Sequence, residues 1–456
     1  MISNGDVILT FDELRKQYSE FIFKDYSIGF ADGECAMQFN YEIEGLSEFK
    51  TKWRFPSKKS ESDPILERLA FSLGMVEAIS YYKCACPKTV KVMCGSLSDW
   101  QNDWWRKLFY NGLGEFQYIN GIKISRDELL EIKCAEPKPD SESVEAASPI
   151  HDTNTYGGVL VPVGGGKDSV VSLELLKDAG VNTYSINGNE TTKNVISACK
   201  NAKADYRVKR ILDRKILELN DAGYLNGHIP FSAVVAFSTV ITSYLNGIKY
   251  IALSNESSAN ESTVKDSFVN HQYSKSFEFE MDFTEYVKTL SDYDIHYFSL
   301  LRPLSELQIA FLFSKFEDYH KVFRSCNVGS KKGIWCCDCA KCLFVYIILS
   351  PFVPEEKLID IFGEKLLDKD SLDKEFKELS GIDENKPFEC VGTRREVTSC
   401  ISHFVKMGGR SLLTDRYAKY VSQMPDELDD IMGYFYPEHN VPEEFYKIVV
   451  DNVRES

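Results

Sequence analysis

The stretch Gly164-Gly165-Gly166-Lys167-Asp168-Ser169 constrains this chain more than any other. It follows an apolar run, Val159 to Val163, and precedes Val170, Leu173 and Leu176 at helical spacing, with Gly180 read as the C-cap. A strand, a glycine turn and a helix N-terminus together hold anions. Glycine lets the backbone come close, and the free N–H groups and dipole of the helix start attract negative charge. Asp168 and Ser169 fall in the first turn, where they can hold a metal ion and a phosphate oxygen. An ordinary tight strand-to-helix turn is the bland alternative, and three glycines before Lys-Asp-Ser weigh against it.

A chain of 456 residues is expected to form two or three domains, each able to bury a core. Its 43% hydrophobic and 27% charged residues are those of a globular protein. A net charge of −16 argues against broad nucleic-acid binding, which needs a basic face. No apolar run reaches bilayer length, and Met1 to Asp6 lack a basic n-region and an apolar h-region. No membrane association and a cytoplasmic location are therefore expected. In that setting the 13 cysteines point to free thiols or a metal site rather than disulfides.

Four regions follow along the chain. Residues 1–133 are aromatic-rich and read as an α+β domain, with Asp32-Gly33 as a hairpin turn before the alternating segment Met37 to Ile43. Trp100, Trp104 and Trp105 lie near a predicted helix and read as core. Residues 134–154 are polar, acidic and proline-containing, a linker or long loop. Residues 155–348 alternate strand-like and helix-like segments: a strand at Thr183 to Ile186, a buried apolar helix at Phe231 to Leu245, a strand at Tyr250 to Leu253. This predicts an α/β fold, a parallel sheet with helices on both faces. Ligands bind at the carboxyl ends of such strands, so the glycine loop, Asn187 and Ser254-Asn255-Glu256 should converge. Residues 349–456 read as a mainly helical C-terminal region.

Further clusters carry chemistry. Small polar residues from Ser254 to Glu261 suit a loop that touches phosphate or metal, or else a solvated turn. Asn270 to Ser276 is dense in donors and acceptors, with His271 and Lys275 as candidates to hold an anionic substrate; a lone histidine is also often structural. Arg302 stands before a helix that begins with a Ser305/Gln308 capping box, placed either to clamp a carboxylate or phosphate or to make a surface ion pair. Cys326, Cys336, Cys339 and Cys342 have the spacing of a four-thiolate zinc site, with Cys337 able to stand in for Cys336. Free thiols in a core are the alternative.

The glycine loop is not a Walker A motif, because aspartate follows its lysine. It resembles the Ser-Gly-Gly-x-Asp-Ser loop of the PP-loop ATP pyrophosphatases, with Gly164 in place of serine. Several segments together resemble the MurL-type UDP-N-acetylmuramoyl-L-alanyl-L-glutamate epimerases: Val161–Ser169 (VPVGGGKDS), Leu225–Pro230 (LNGHIP), Leu253–Asn260 (LSNESSAN), Asn270–Ser276 (NHQYSKS), Tyr297–Leu307 (YFSLLRPLSEL), Ser325–Asn327 (SCN), Trp335–Val345 (WCCDCAKCLFV) and Lys386–Val391 (KPFECV). The resemblance implies an adenine nucleotide alpha hydrolase-like core, ATP and Mg²⁺, and a UDP-N-acetylmuramoyl-dipeptide whose L-glutamate is inverted through an acyl-adenylate, releasing AMP and pyrophosphate.

On that basis Gly164, Gly165, Gly166 and Ser169 are candidates for the pyrophosphate portion of ATP, and Ser185 and Asn187 for its adenine side. Lys167 would offset developing charge. Asp168, with Glu256, would bind Mg²⁺; Ser254 and Asn255 complete the nucleotide-side loop. Lys275 and Arg302 are the candidates for substrate carboxylates, and His228 and His271 for proton transfer on the two faces. A 7-cyano-7-deazaguanine synthase-like ligase also pairs such a loop with four cysteines, and is the second reading. A nucleotide-binding module without turnover is the third, opposed by the intact Lys167-Asp168-Ser169.

Overall fold

The structure is a computed structural model that describes residues 9–135, 150, 152, 154–257, 273–326, 328–384, 387, 389 and 391–454. Most of the expected 134–154 linker, with His271, lies outside the described residues. In chain order come α1 (Phe11–Gln17), β1 (Glu20–Ala31), β2 (Glu34–Ile43), β3 (Ser47–Pro56), α2 (Pro64–Tyr82), β4 (Thr89–Val92), α3 (Asp99–Gly112), α4 (Gly114–Ile119), α5 (Arg126–Leu129) and β5 (Glu131–Cys134). Then follow β6 (Val159–Pro162), α6 (Lys167–Leu175), β7 (Val181–Ile186), α7 (Glu190–Ala198), β8 (Asp205–Ile211), α8 (Lys215–Asp221), α9 (Phe231–Asn246), β9 (Tyr250–Leu253), α10 (Phe277–Lys288) and β10 (His296–Ser299). The rest is helical: α11 (Glu306–Ser314), α12 (Ala340–Leu349), α13 (Glu355–Phe362), α14 (Asp373–Ser380), α15 (Arg394–Lys406), α16 (Leu412–Arg416), α17 (Ala418–Val421), α18 (Leu428–Gly433) and α19 (Glu443–Arg454). Among the described residues no helix is long and apolar enough to cross a membrane.

The chain divides into two compact units, drawn from Met1–Gly157, Tyr206–Lys249 and Val269–His296, and from Gly158–Asp205, Tyr250–Phe268 and Tyr297–Ser456. These boundaries differ from the expected 133, 155 and 348. Residues 206–249 join the N-terminal unit because α9 packs on α2 and β3 there. The C-terminal helices share one core with β6 and α6, running from Val159 to Val453, so they form no domain apart.

In the first unit the strands lie in the order β8-β3-β2-β1-β4-β5. β1, β2, β3 and β8 are antiparallel, while β4 and β5 are parallel to β1 and to each other. The β1–β2 turn is the expected one: Asp32 and Gly33 have φ of 52° and 75°, the left-handed pair such a two-residue hairpin needs. Alternate residues Phe21, Phe23, Phe39, Tyr41, Trp53 and Phe55 are buried on this sheet. Trp104 and Trp105 pack as core, with Trp104 stacked on Tyr286 at 4.3 Å and Trp105 on Phe237 at 5.3 Å. Trp100 is 41% exposed.

In the second unit the order is β10-β9-β6-β7. β6 is parallel to both neighbours, with Val159 opposite Val181 on one side and Tyr250 on the other. β6, β7 and β9 are buried along nearly their whole length, as a helix-covered parallel sheet requires. α6 ends at Leu175 with Leu176 as its C-cap; Gly180, at φ 73°, belongs to the turn that follows. α12 is buried on nearly every side and sits at the centre of the helical part.

Candidate active site

The glycine loop leads directly from β6 into α6. Gly165 has φ +96°, and a Cβ there would meet Thr191 Cγ2 at 2.7 Å. Glycine is required at that position on both counts. Gly166 is the N-cap of α6 and brings no side chain to cap the first-turn amides. Gly164 is exposed, while Ser169 is buried and donates its hydroxyl to Gly166 O at 2.9 Å.

Lys167 is buried, and its ammonium pairs with both Asp168 and Glu306. Burial works against its charge, but the two carboxylates outweigh burial and hold it above the usual lysine range. Glu306 is pushed up to about 8, first by burial; Lys167 opposes this, and the negative charges of Asp168 and Glu256 add to it. One ammonium thus faces two carboxylates, with the charge of Glu256 acting on Glu306 beside them. Such a surplus of oxygen donors suits a hard divalent cation. Glu306 is not among the residues singled out from sequence; it stands in the first turn of α11, where an acid is also an ordinary complement of the helix dipole.

The segments that follow β6, β7 and β9 carry the next contacts. Ser254, after β9, shares a hydrogen bond of 2.8 Å with Ser172 of α6. Asn255 donates to Ser299 Oγ at 3.0 Å. After β7, the α7 residue Thr192 donates its hydroxyl to Gly164 O at 3.2 Å. Ser185 is buried, whereas Asn187 is exposed at φ 49° in the turn between β7 and α7. Arg302 is buried and donates to Glu256 O at 2.8 Å and to Ser299 Oγ at 3.2 Å. In this arrangement it braces the loop after β9.

Two more residues missed from sequence lie against the loop. Arg324 donates its backbone N–H to Gly165 O at 2.9 Å, and Ser325 Oγ accepts from Lys167 N at 3.4 Å. His228 and Lys275 belong to the first unit. His228 is exposed, with Nδ1 3.9 Å from Glu115. Lys275 is half-buried in a short 3₁₀ turn, Tyr273–Lys275.

The sulfurs of Cys326, Cys336, Cys339 and Cys342 lie within 4.8 Å of one another. Cys342 Sγ stands 3.7 Å from Cys336 Sγ and 3.5 Å from Cys339 Sγ. The shared hydrogen bond with Cys342 lowers the Cys339 thiol below the usual cysteine range. Cys337 does not stand in for Cys336: at φ 54° its sulfur turns away, 3.2 Å from Phe362 O.

Comparisons with known proteins extend this geometry. Residues 12–300 match the family described as MurL N-terminal domain, and residues 322–429 that described as MurL C-terminal domain. The chain is 36% identical over 336 residues to the UDP-N-acetyl-alpha-D-muramoyl-L-alanyl-L-glutamate epimerase of Xanthomonas oryzae pv. oryzae (strain MAFF 311018), covering 71% of each chain. It is 33% identical over 408 residues to the protein of that name from Micromonospora sp. (strain ATCC 39149 / NRRL 15099 / SCC 1413), covering 86% of this chain and 88% of the other. The namesake from Salinispora tropica (strain ATCC BAA-916 / DSM 44818 / JCM 13857 / NBRC 105044 / CNB-440) is 34% identical over 415 residues, 87% of each chain. No solved structure matches.

Proposed function

Because this chain belongs to the MurL family, we propose that it inverts the terminal L-glutamate of UDP-N-acetylmuramoyl-L-alanyl-L-glutamate to D-glutamate, using ATP to activate the carboxylate beside the inverted carbon. The observation that carries the ATP half of this reading is the buried Lys167, paired with Asp168 and Glu306 where the glycine loop meets α6. In this reading a carboxylate oxygen of the substrate attacks the α-phosphorus of ATP. Pyrophosphate leaves and an acyl-adenylate forms. A free carboxylate resists loss of the α-proton because a dianionic enolate would result. Adenylation removes that negative charge, so the proton becomes removable. Its return on the opposite face inverts the centre, and hydrolysis to the carboxylate and AMP makes the sequence directional.

The residues divide that work. The amides of Gly164, Gly165, Gly166 and the first turn of α6 receive the phosphates. Lys167 sets a fixed charge against the charge that develops on the departing pyrophosphate. Asp168, Glu256 and Glu306 supply the oxygens for Mg²⁺, an ion that offsets phosphate charge. Ser185 and Asn187 line the adenine side, with Ser254 and Asn255 on the strand-end loop. Lys275 and Arg302 take the substrate carboxylates, and His228 and His271 move the α-proton.

Asp168→Asn tests the assignment. It should abolish muropeptide-dependent pyrophosphate release while leaving the thermal transition of the protein in place. Normal turnover in that variant would remove Asp168 from the site.

A further inference from the structure

We propose that Cys326, Cys336, Cys339 and Cys342 bind one zinc ion, and that the loop it closes is a clamp holding the glycine loop in its anion-binding shape. The proposal does not rest on the epimerase reading. Four thiolates around one tetrahedral zinc, each at about 2.3 Å from the metal, stand about 3.8 Å apart. The 3.5 and 3.7 Å separations of Cys342 from Cys339 and Cys336 fit a single ion, and thiolates bound to separate irons of a cluster would stand farther apart. They are also far too long for disulfides. Convergence is selective: Cys337, beside one ligand in sequence, points to Phe362 O instead. The Gly329 amide donates to Cys326 Sγ at 3.1 Å, the kind of second bond that orients a metal thiolate. Gly329 itself is needed for closure, since a Cβ there would lie 2.2 Å from Ile334 O.

The coupling to the glycine loop is direct. Arg324 and Ser325 immediately precede the ligand Cys326. The Arg324 amide is bonded to Gly165 O at 2.9 Å, and Ser325 Oγ faces both Lys167 N, at 3.4 Å, and the α-carbon side of Gly166. Between Cys326 and Cys336 the chain makes the 3₁₀ turn Ser330–Lys332, where Ser330 O accepts from Thr191 Oγ1 at 2.7 Å. Thr191 is also the residue that closes over Gly165. This segment therefore bears on the loop twice, directly through Arg324 and Ser325 and indirectly through Thr191 at Gly165.

The test uses the full chain, purified without chelator and without an immobilised-metal step. Elemental analysis should find one zinc per chain that survives dialysis, and little iron. Zinc is then withdrawn with a mercurial thiol reagent, the reagent is reversed with excess thiol, and amide hydrogen exchange is compared before withdrawal, after it and after zinc is returned. Exchange should rise several-fold across 164–169 and 190–193, stay unchanged in the β1–β2 hairpin, and recover with zinc. Ser325→Ala should keep its zinc yet loosen 164–169. Substoichiometric zinc, iron in its place, or exchange that rises equally everywhere or not at all across the loop would overturn the proposal.

Discussion

At the scale of single residues, the site turns on a lysine that faces more carboxylate than it can neutralise. Glu306 has a folded-state pKa of about 8 against 4.5 for a free glutamate. The folded chain therefore binds that proton more tightly than the unfolded one. Its contribution to stability is full below about pH 4.5 and is lost as pH rises through about 8. Lys167 is raised as well, so its own contribution persists until strongly alkaline pH and does not mask the effect. Glu306→Gln removes the titration. In urea unfolding without magnesium, the stability of the natural protein relative to this variant should fall steadily from about pH 5 to about pH 9. A difference that stays flat across that window would contradict the burial and charge ascribed to Glu306.

At the scale of elements, one buried carboxylate holds two helix starts. Glu396 accepts from Thr393 N at 2.7 Å as the capping box of α15, and from Leu307 N at 3.1 Å at the start of α11. α11 carries Glu306, so Glu396 fixes where that side chain begins. Glu396→Ala orphans both amides and should cost about 2–4 kcal/mol in chemical denaturation. A loss below about 0.5 kcal/mol would mean that the two helices do not depend on it. In the first unit, α2 lies so close to the sheet that a Cβ on Gly74 would meet Phe23 Cζ at 2.4 Å and Phe39 Cδ1 at 2.8 Å. Gly74→Ala should therefore destabilise by about 1–3 kcal/mol, read as a lower midpoint with an unchanged slope; a neutral result would show that the rings can yield.

Elements are also where the sequence was readable. The Asp32-Gly33 hairpin, the strand before the glycine loop, α9 and β9 carry local signals of turn type, period and apolar length, and all four stand where those signals put them. What lay beyond reach depends on long-range packing. α9 is apolar on most faces, so its sequence names no partner; it packs on α2 and β3. Glu306 hides among ordinary first-turn acids. The exclusion of Cys337 rests on a left-handed backbone angle that spacing does not encode. His228, singled out because an imidazole titrates near working pH, and Lys275, singled out for the donors around it, lie in the first unit, which neither signal specifies.

At the scale of the whole molecule, membership of the MurL family spans both units, since the matched residues run from 12 to 300 and from 322 to 429. The glycine loop, its lysine and the surrounding carboxylates all belong to the second unit, at the carboxyl end of its parallel strand β6 and beyond β9. The central claim is that this site spends ATP to invert an amino-acid centre. The most direct measurement is to incubate the full chain with UDP-N-acetylmuramoyl-L-alanyl-L-glutamate, ATP and Mg²⁺, then to quantify AMP and the configuration of the released glutamate after hydrolysis. The account predicts D-glutamate that accumulates only when ATP is present and in step with AMP. D-glutamate formed equally well without ATP, or AMP formed with the glutamate still wholly L, would contradict it.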